Sequence, residues 1–375
     1  MAKRKHLKLK EPFISIVRIC GIILAIIFAA FLFYRYEIHT IKKLGYSEKA
    51  SQFILFNFKK SYVKSVHYSD TLNAAFESES YNEKYLKYYA QIDYYKGNLL
   101  ISDINSLLEK KYSVSEINVI LAHGSLEDVR DFAKRDKVVY LDEYFDYPFA
   151  RIRLYDRYLA YSDETGENAY NTIVYVNLDI DKEEYKEPYL ITKFSIDMLV
   201  NKHFSLTKNF VPNNLVTISS EDSKNEEIKL NGDAYKAFKQ MKSDMNKEGL
   251  DIYINEGYRS YSEQEELCDY YRNLYGDNYV SKYVAFPGFS EHQTGLAIDI
   301  SSTSVKTFAN SKEFRWMIDN SYKYGFILRY DSMFIEETQY NSEPWHYRYV
   351  GTEISNYIHE HYMSYEEYYA VNLFK

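Results

Sequence analysis

The chain is poor in three residue types that usually mark flexible linkers and disulfide frameworks. Its 375 residues include only 13 glycines, 6 prolines and 2 cysteines. So few glycines and prolines argue against long flexible linkers and low-complexity tails. Cys20 lies in an apolar N-terminal run and Cys268 in a predicted helix, so we expect no internal disulfide. That absence is still compatible with a location outside the cytoplasm.

Basic residues are also scarce over most of the chain. The whole chain carries a net charge of −8. Residues 1–35 hold seven basic residues and one acidic residue, which leaves residues 36–375 with 39 basic and 53 acidic residues, a net charge of −14. A region this acidic repels the phosphate backbone, so we expect no nucleic-acid partner.

Apolar and aromatic residues, by contrast, are abundant. Hydrophobic residues make up 46% of the chain, and 42 residues are tyrosines. This composition is ample for a sizeable core, and the length predicts about two domains.

The sequence pattern of residues 1–35 predicts a basic cytoplasmic tail followed by a transmembrane anchor. Phe13–Tyr34 is apolar apart from Arg18, and about 20 apolar residues span a bilayer. Five basic residues precede this run: Lys3, Arg4, Lys5, Lys8 and Lys10. Basic flanks stay in the cytoplasm, which places the remaining chain outside a single-pass membrane protein. A cleaved signal peptide is the alternative, but the run is long for one and no small-residue cleavage site follows it.

Residues 36–191 predict a mainly helical extracytoplasmic region with some strands, whose role the sequence does not reveal. Helical patterns run from Thr40 to Lys137, where Ser125 begins a capping box. Strands are predicted around Ile152 and over residues 172–180.

No catalytic motif stands out in this middle region. His67 and His123 are isolated, and an isolated histidine is rarely a metal ligand. Tyrosines cluster here at Tyr81, Tyr85, Tyr88, Tyr89, Tyr94 and Tyr95. We expect them to pack in the core, with a glycan-binding face as the alternative.

Residues 192–375 predict an α+β domain, a small antiparallel sheet with flanking helices. Strands are predicted at 250–255, 296–300, 326–330 and 343–350, and helices at 311–324 and 352–362. Two further helices are predicted, one with Asp233 as its N-cap and one with a capping box from Ser262 to Glu265.

Two stretches of this domain contain the side chains of a catalytic metal centre. The imidazoles of His292 and His346 and the carboxylate of Asp299 form a three-ligand set typical of catalytic zinc. Glu343 provides a spare carboxylate for acid–base chemistry. Two histidines and one carboxylate also bind iron(II) in oxygenases, but that alternative leaves Glu343 without a use.

The strand predicted at 296–300 explains why Asp299 needs a partner. Leu296, Ile298 and Ile300 point to one face, whereas Asp299 points to the other with only Ala297 beside it. A carboxylate so deep in an apolar run needs a cation or a hydrogen-bond donor.

These residues lie in motifs that resemble the LAS zinc metallopeptidases. A serine, histidine, glycine, alanine and aspartate pattern spans residues 290–299, and a Glu-x-x-His pattern spans residues 343–346. The strings GYRSYSEQ, PGFSEHQTGLAIDI and EPWHYRYVG resemble the VanY-type D-alanyl-D-alanine carboxypeptidase branch of that family. Three separated motifs in the same order are far more specific than one, and the resemblance covers roughly the last half of the chain.

The resemblance implies roles for individual residues. His292, Asp299 and His346 correspond to the zinc ligands, and Glu343 corresponds to the catalytic base. Arg259 corresponds to an arginine of the catalytic site, where its planar guanidinium would bind an oxyanion or a substrate carboxylate.

Substrate-binding positions are implied as well. Ser290 and Gln264 match positions associated with substrate binding, although Ser290 could instead cap a helix. Trp345 could form a wall of the pocket or fill the core. An ion pair with Glu256 is the alternative for Arg259.

The chain departs from the family pattern at three positions. Glu256 stands where serine is usual, Asp331 where proline is usual, and Gln339 where glycine is usual. We expect the changes at Asp331 and Gln339 to affect substrate preference rather than the chemistry, and the change at Glu256 to affect the direction in which Arg259 points.

The resemblance thus implies a zinc-dependent D,D-carboxypeptidase that removes the terminal D-alanine from peptidoglycan stem peptides. One alternative is an L,D-carboxypeptidase that acts on tetrapeptide stems. Another is a non-catalytic protein that binds the cell wall, although such a protein would not need Glu343 beside a metal.

The N-terminal run leads to a testable prediction about localisation. We expect the protein to sediment with membranes and to keep its N-terminus, because the apolar run is long enough to span a bilayer. Cell fractionation and N-terminal sequencing of the membrane-bound protein check this. A mature protein that begins near Arg35 would identify the run as a signal peptide.

Overall fold

The computed structural model describes residues 11–94, 96–97, 100–223, 227–302 and 307–374. Contacts divide the chain into two compact units, one ending at Arg153 and one beginning at Leu154. Six residues used in the predictions above lie outside the described ranges: Lys3, Arg4, Lys5, Lys8, Lys10 and Tyr95.

The first unit begins with a long apolar helix, α1 (Glu11–Lys42). By length and composition alone, its residues from Ser15 onward could cross a membrane or serve as a signal sequence. Large apolar side chains between Ile16 and Phe33 are exposed, whereas Ile38 and Ile41 are buried. The end of α1 is therefore part of the packed core of this unit.

Short helices build the rest of the first unit. They are α2 (Glu48–Phe56), α3 (Lys60–Ser65), α4 (Asp70–Glu77), α5 (Leu86–Tyr89), α6 (Ile101–Glu109), α7 (Val114–His123), α8 (Leu126–Lys134) and α9 (Leu141–Phe145). The predicted capping box is present: Ser125 accepts from the backbone of Asp128, whose carboxylate accepts from the backbone of Ser125. This capping box provides acceptors for two backbone N–H groups that the start of a helix otherwise leaves without a partner.

The tyrosine cluster of this unit divides between core and surface. Tyr85 and Tyr89 are buried, and the Tyr81 ring lies against Phe53. Tyr94, in contrast, is half exposed. The predicted core packing is therefore confirmed for Tyr85 and Tyr89 but not for Tyr94.

The strands predicted around Ile152 and over residues 172–180 are wrong. Residues Ile152–Leu154 form a 3-10 helix, and α11 (Ala169–Asn177) occupies the second segment. Asn168 caps α11 by accepting from the backbone of Asn171. Most side chains of α11 are buried, and a short run that is buried on all sides has the same apolar pattern in a helix and in a strand.

The second unit combines helices with small sheets. Its helices are α10 (Tyr155–Thr165), α11, α12 (Gly232–Lys247), α13 (Tyr261–Tyr275), α14 (Asp277–Tyr283), α15 (Lys312–Asn320), α16 (Ile335–Thr338), α17 (Thr352–His361) and α18 (Tyr365–Tyr368). Its strands are β1 (Tyr189–Ile191), β2 (Phe204–Leu206), β3 (Leu215–Thr217), β4 (Lys229–Asn231), β5 (Ile252–Glu256), β6 (Ala297–Ser302), β7 (Phe326–Leu328) and β8 (His346–Tyr349).

The main sheet has four strands in the order β5-β6-β8-β7, and all of its pairs are antiparallel. The predicted small antiparallel sheet with flanking helices is thus confirmed. Strands β1 and β2 form a separate parallel pair, and β3 and β4 form an antiparallel pair.

One face of the main sheet packs on a core that includes α12. Leu296, Ile298 and Ile300 are buried there, as their alternation predicts. Phe238 and Met241 of α12 are fully buried in the same cluster. Burying one such side chain stabilises the folded state by roughly 1.5–3 kcal/mol. This core therefore determines which face of the central strand β6 points outward.

Two predicted helix starts are wrong by two residues. Asn231, not Asp233, caps α12, because its side-chain oxygen accepts from the backbone N–H of Asp233 at 2.9 Å. The capping box of α13 joins Ser260 to Glu263 rather than Ser262 to Glu265. In both segments, two residues two positions apart have side chains able to cap, and the first of the two does so.

The cap of α12 can be tested by stability measurements. We expect Asn231→Ala to lower the free energy of unfolding by about 1 kcal/mol, because it leaves helix N–H groups without a partner. Asp233→Ala is the matched control, because Asp233 is exposed and contributes only its charge. Thermal unfolding of the two variants checks this, and an equal loss in both would contradict the assignment.

Candidate metal centre and cavity

Strand pairing brings the candidate metal ligands together. Asp299 of β6 lies directly opposite His346 of β8 in the antiparallel register. His292 lies in a 3-10 helix, Glu291–Thr294, just before β6. Gly295 joins this helix to β6 at a φ of +69°, and a Cβ there would lie 2.8 Å from Leu215. The turn that positions His292 therefore needs glycine.

The three side chains converge at short distances. Asp299 Oδ1 is 3.0 Å from His346 Nδ1 and 3.5 Å from His292 Nε2. The two imidazole rings are nearly perpendicular, with centroids 5.0 Å apart. One ligand atom from each residue lies within 4.8 Å of the others, so the three could hold a metal ion.

Hydrogen bonds orient His292 toward the centre. Its Nδ1 lies 2.7 Å from the carbonyl oxygen of Gly257, which can only accept. Nδ1 therefore carries a proton, and Nε2 is the nitrogen that faces Asp299. Metal-binding histidines are commonly held in this way by a partner on the second nitrogen.

His346 lies between two carboxylates. Its Nδ1 faces Asp299, and its Nε2 is 3.2 Å from Oε2 of Glu291. Burial would lower the pKa of His346, but hydrogen bonds to Asp299 and Glu291 outweigh it and raise the pKa to about 9. Two lone pairs repel each other, so Nδ1 and Asp299 Oδ1 lie this close only if a proton or a cation is between them. The position between these two atoms therefore suits a metal ion.

The carboxylate of Asp299 is adapted to remain ionised. Burial would raise its pKa, but attraction and hydrogen bonds from His292 and His346 hold the pKa well below its usual range. Two imidazoles and one ionised carboxylate match zinc better than magnesium or calcium, which prefer oxygen ligands.

A cavity of about 310 Å³ opens onto this cluster. Every residue that the sequence predicted for the site contributes to its lining: Arg259, Gln264, Ser290, His292, Asp299, Glu343, Trp345 and His346. Motifs that are far apart in the sequence therefore meet in one cavity.

Arg259 is held by two side chains. Its Nε donates to Oε1 of Glu256 at 3.0 Å, and its Nη1 donates to Oε1 of Gln264 at 2.6 Å. Gln264 is buried and also donates to the carbonyl oxygen of Ala285 at 2.7 Å. The ion pair with Glu256, the alternative considered for Arg259, is thus present, and Gln264 also holds the guanidinium.

Ser290 and Trp345 occupy different parts of the cavity. The hydroxyl of Ser290 accepts from the backbone N–H of His292 at 3.3 Å, so it caps the 3-10 helix as the alternative proposed. Trp345 is 43% exposed, which places its ring in the cavity wall rather than in the core.

Glu343 lies next to the three candidate metal ligands and is not one of them. Its Oε2 is 3.9 Å from His346 Nδ1, and its side chain is 18% exposed. Burial is the main cause that raises the pKa of Glu343 to about 7; Asp299 adds to this, and His346 opposes it. A carboxyl group with this pKa can both accept and return a proton near neutral pH.

The two departures near Glu343 are both accommodated locally. Gln339 adopts a φ of +57°, a conformation that favours glycine, and its Oε1 lies 2.9 Å from His203 Nε2. Asp331 caps a short 3-10 helix by accepting from the backbone of Met333 at 3.0 Å. Neither side chain lines the cavity.

Glu291 is the residue near the centre that the sequence analysis missed. An acidic residue beside a histidine is usually exposed, but the side chain of Glu291 has no exposed surface. Its position directly before a metal-ligand histidine is the only local signal that could have suggested it.

Comparison with known proteins shows that the chain is similar to carboxypeptidases. Residues 227–352 match the family model VanY, described as D-alanyl-D-alanine carboxypeptidase. The chain is 40% identical over 179 residues to YodJ of Bacillus subtilis (strain 168), an alignment that covers 46% of this chain and 66% of YodJ.

Two further relatives extend the comparison. Over 179 residues the chain is 35% identical to VanXYC of Enterococcus gallinarum, a bifunctional D-Ala-D-Ala dipeptidase and carboxypeptidase; the alignment covers 45% of this chain and 91% of VanXYC. A solved structure of the LdcB LD-carboxypeptidase is 36% identical, with a TM-score of 0.46, covering 50% of this chain and 92% of that one. The chain spans only 48% and 57% of two enterococcal D-alanyl-D-alanine carboxypeptidases.

The geometry predicts metal binding that depends on the three ligands. We expect the detergent-solubilised full-length chain to bind one divalent metal ion, and His346→Ala or Asp299→Ala to lose it together with some stability. His361→Ala replaces an exposed histidine and serves as the control. Elemental analysis of the purified proteins checks this, and metal retained by both ligand variants would contradict the assignment.

Proposed function

Because this chain belongs to the VanY family of D-alanyl-D-alanine carboxypeptidases, we propose that it removes the terminal D-alanine from peptidoglycan stem peptides in a zinc-dependent reaction. The observation that carries the proposal is the position of Glu343. This carboxyl group, with a pKa near 7, lies 3.9 Å from a candidate metal ligand inside the same cavity.

The proposed zinc ligands are His292 Nε2, Asp299 and His346 Nδ1. A zinc ion held by them would supply a Lewis acid that lowers the pKa of water and polarises a carbonyl group. The donor set supports this identity, because two imidazole nitrogens and one carboxylate form a common catalytic zinc site.

Glu343 carries the proton transfers in the proposed reaction. Its carboxylate accepts a proton from the water that attacks the carbonyl carbon of the last peptide bond. It then delivers that proton to the amine nitrogen of the leaving D-alanine as the C–N bond breaks. A group whose pKa is near the working pH is suited to both steps.

Arg259 is proposed to bind the substrate. Its guanidinium is held by Glu256 and Gln264, so little side-chain entropy is lost when it binds a carboxylate or an oxyanion. Ser290 and Trp345 complete the proposed binding surface, the first through a polar group and the second through an aromatic wall.

We further propose that residues 1–35 anchor the protein in the membrane and that residues 192–375 form the zinc carboxypeptidase domain outside the cell. The apolar helix α1 supports the anchor, and the relative that is a D-Ala-D-Ala carboxypeptidase supports the assignment of the domain.

Defined stem peptides test the function. We expect the zinc-loaded full-length chain in detergent to remove one D-alanine from a pentapeptide stem and to leave a tetrapeptide stem intact, as measured by mass spectrometry of the products. Cleavage of the tetrapeptide alone would favour the L,D-carboxypeptidase. No cleavage by zinc-loaded protein would favour the non-catalytic protein.

A substitution of Glu343 tests its role in the same assay. Glu343→Ala should keep its zinc and lose about 10²–10⁴-fold in rate, because a general acid–base group typically contributes that much. Glu336→Ala, which removes an exposed carboxylate from α16, is the matched control. Near-normal turnover of Glu343→Ala, or loss of its zinc, would show that Glu343 has a different role.

A further inference from the structure

Glu291 is a buried carboxylate that the proposed mechanism leaves unused. Three donors surround it: Arg329 Nε at 2.8 Å, Arg348 Nη1 at 3.0 Å and His346 Nε2 at 3.2 Å. The side chains of Glu291 and both arginines have no exposed surface. A charge buried this deeply is costly unless it is paired, so the arrangement needs an explanation.

The two arginines supply the counter-charges of Glu291. Both guanidinium groups are always charged and donate to Oε1 of its carboxylate, which leaves Oε2 to face His346. Arg329 also forms a two-pronged ion pair with Glu366 of α18. Arg348 donates to the carbonyl oxygen of Met198 at 2.8 Å. Two buried carboxylates therefore balance two buried guanidinium groups.

The ionised carboxylate determines where the proton of His346 lies. A carboxylate can only accept hydrogen bonds, so the His346 nitrogen that faces Glu291, Nε2, must carry a proton. In the neutral imidazole the lone pair is then on Nδ1, the nitrogen that lies 3.0 Å from Asp299. This is the tautomer that presents Nδ1 to the proposed metal position.

We propose that Glu291 is a positioning residue that accepts the Nε2–H of His346 and thereby holds its Nδ1 toward the metal. This inference rests on the proposed metal site and adds a residue to it. Glu291 is not one of the three candidate metal ligands. It acts through His346, whose ring it orients from the side opposite Asp299.

A purely structural ion pair is the competing explanation. Glu366 offers the comparison, because it has the same chemistry and burial and also binds Arg329, but its second partner is Asn201 and not His346. Shortening either glutamate to aspartate keeps the charge while it withdraws the carboxylate by one methylene. Only Glu291→Asp withdraws it from His346.

Zinc affinity of the full-length chain in detergent separates the two explanations. We expect Glu291→Asp to weaken zinc binding by about 10–100-fold, the usual effect of losing a partner of a metal ligand. Glu366→Asp should change zinc affinity by less than about threefold. Competition with a chromophoric chelator measures the affinities, and thermal unfolding of the metal-free proteins shows the structural cost of each change.

Each outcome decides the question. Unchanged zinc affinity in Glu291→Asp, or an equal loss in Glu366→Asp, would overturn the inference while the proposed function stands. An unaltered chain that binds no zinc would overturn both.

A second measurement needs no variant at Glu291, in case that variant does not fold. In the zinc-loaded unaltered chain with ¹⁵N-labelled histidine, we expect His346 to have a protonated Nε2 and a metal-bound Nδ1, with its signals assigned from His346→Gln. A metal-bound Nε2 would overturn the inference.

Discussion

The antiparallel pairing of β6 with β8 is the constraint on which the rest of the site depends. It places Asp299 opposite His346, and a slip of one residue would turn each side chain to the other face of the sheet. Ile298 and Ile300 prevent that slip, because both are buried in the core on the opposite face. The apolar pattern that stabilises the domain therefore also aligns the candidate ligands.

Buried charge is the second feature that organises the domain. Glu291, Arg329, Arg348 and Glu366 lie together in the interior, and each would cost several kcal/mol if it lacked a partner. Their pairing joins the 3-10 helix before β6 to strand β8 and to α18 near the end of the chain. Removing one partner from such a network typically costs about 3–5 kcal/mol. The region that supports His346 is therefore held rigidly, and a rigid ligand set favours metal binding.

Proton chemistry in the cavity follows from differences in environment. Asp299 faces two imidazoles, which hold its pKa low, whereas burial dominates at Glu343 and raises its pKa to about 7. Two carboxyl groups near the same histidine thus differ in their readiness to take up a proton. Such a difference separates a metal ligand from an acid–base group.

The sequence alone predicted eight residues of the cavity lining and part of the fold. His292, Asp299, Glu343 and His346 could be selected because their spacing and context form specific motifs. The helix α11 could not be distinguished from a strand, since its side chains are buried on nearly all sides. The capping residues Asn231 and Ser260 were missed because neighbouring Asp233 and Ser262 have equally suitable side chains.

The sequence by itself determined the apolar N-terminal segment, the central strand with its two faces, and the candidate ligands, because periodicity and local motifs depend on neighbouring residues. Only the tertiary structure decided the role of Glu291, the hold of Gln264 on Arg259, and the exposure of Trp345. The role of Glu291 depends on residues that are distant in sequence, such as Arg329 and Glu366, whose contacts leave no local pattern. Long-range packing and charge pairing therefore complete a site whose components the sequence had already named.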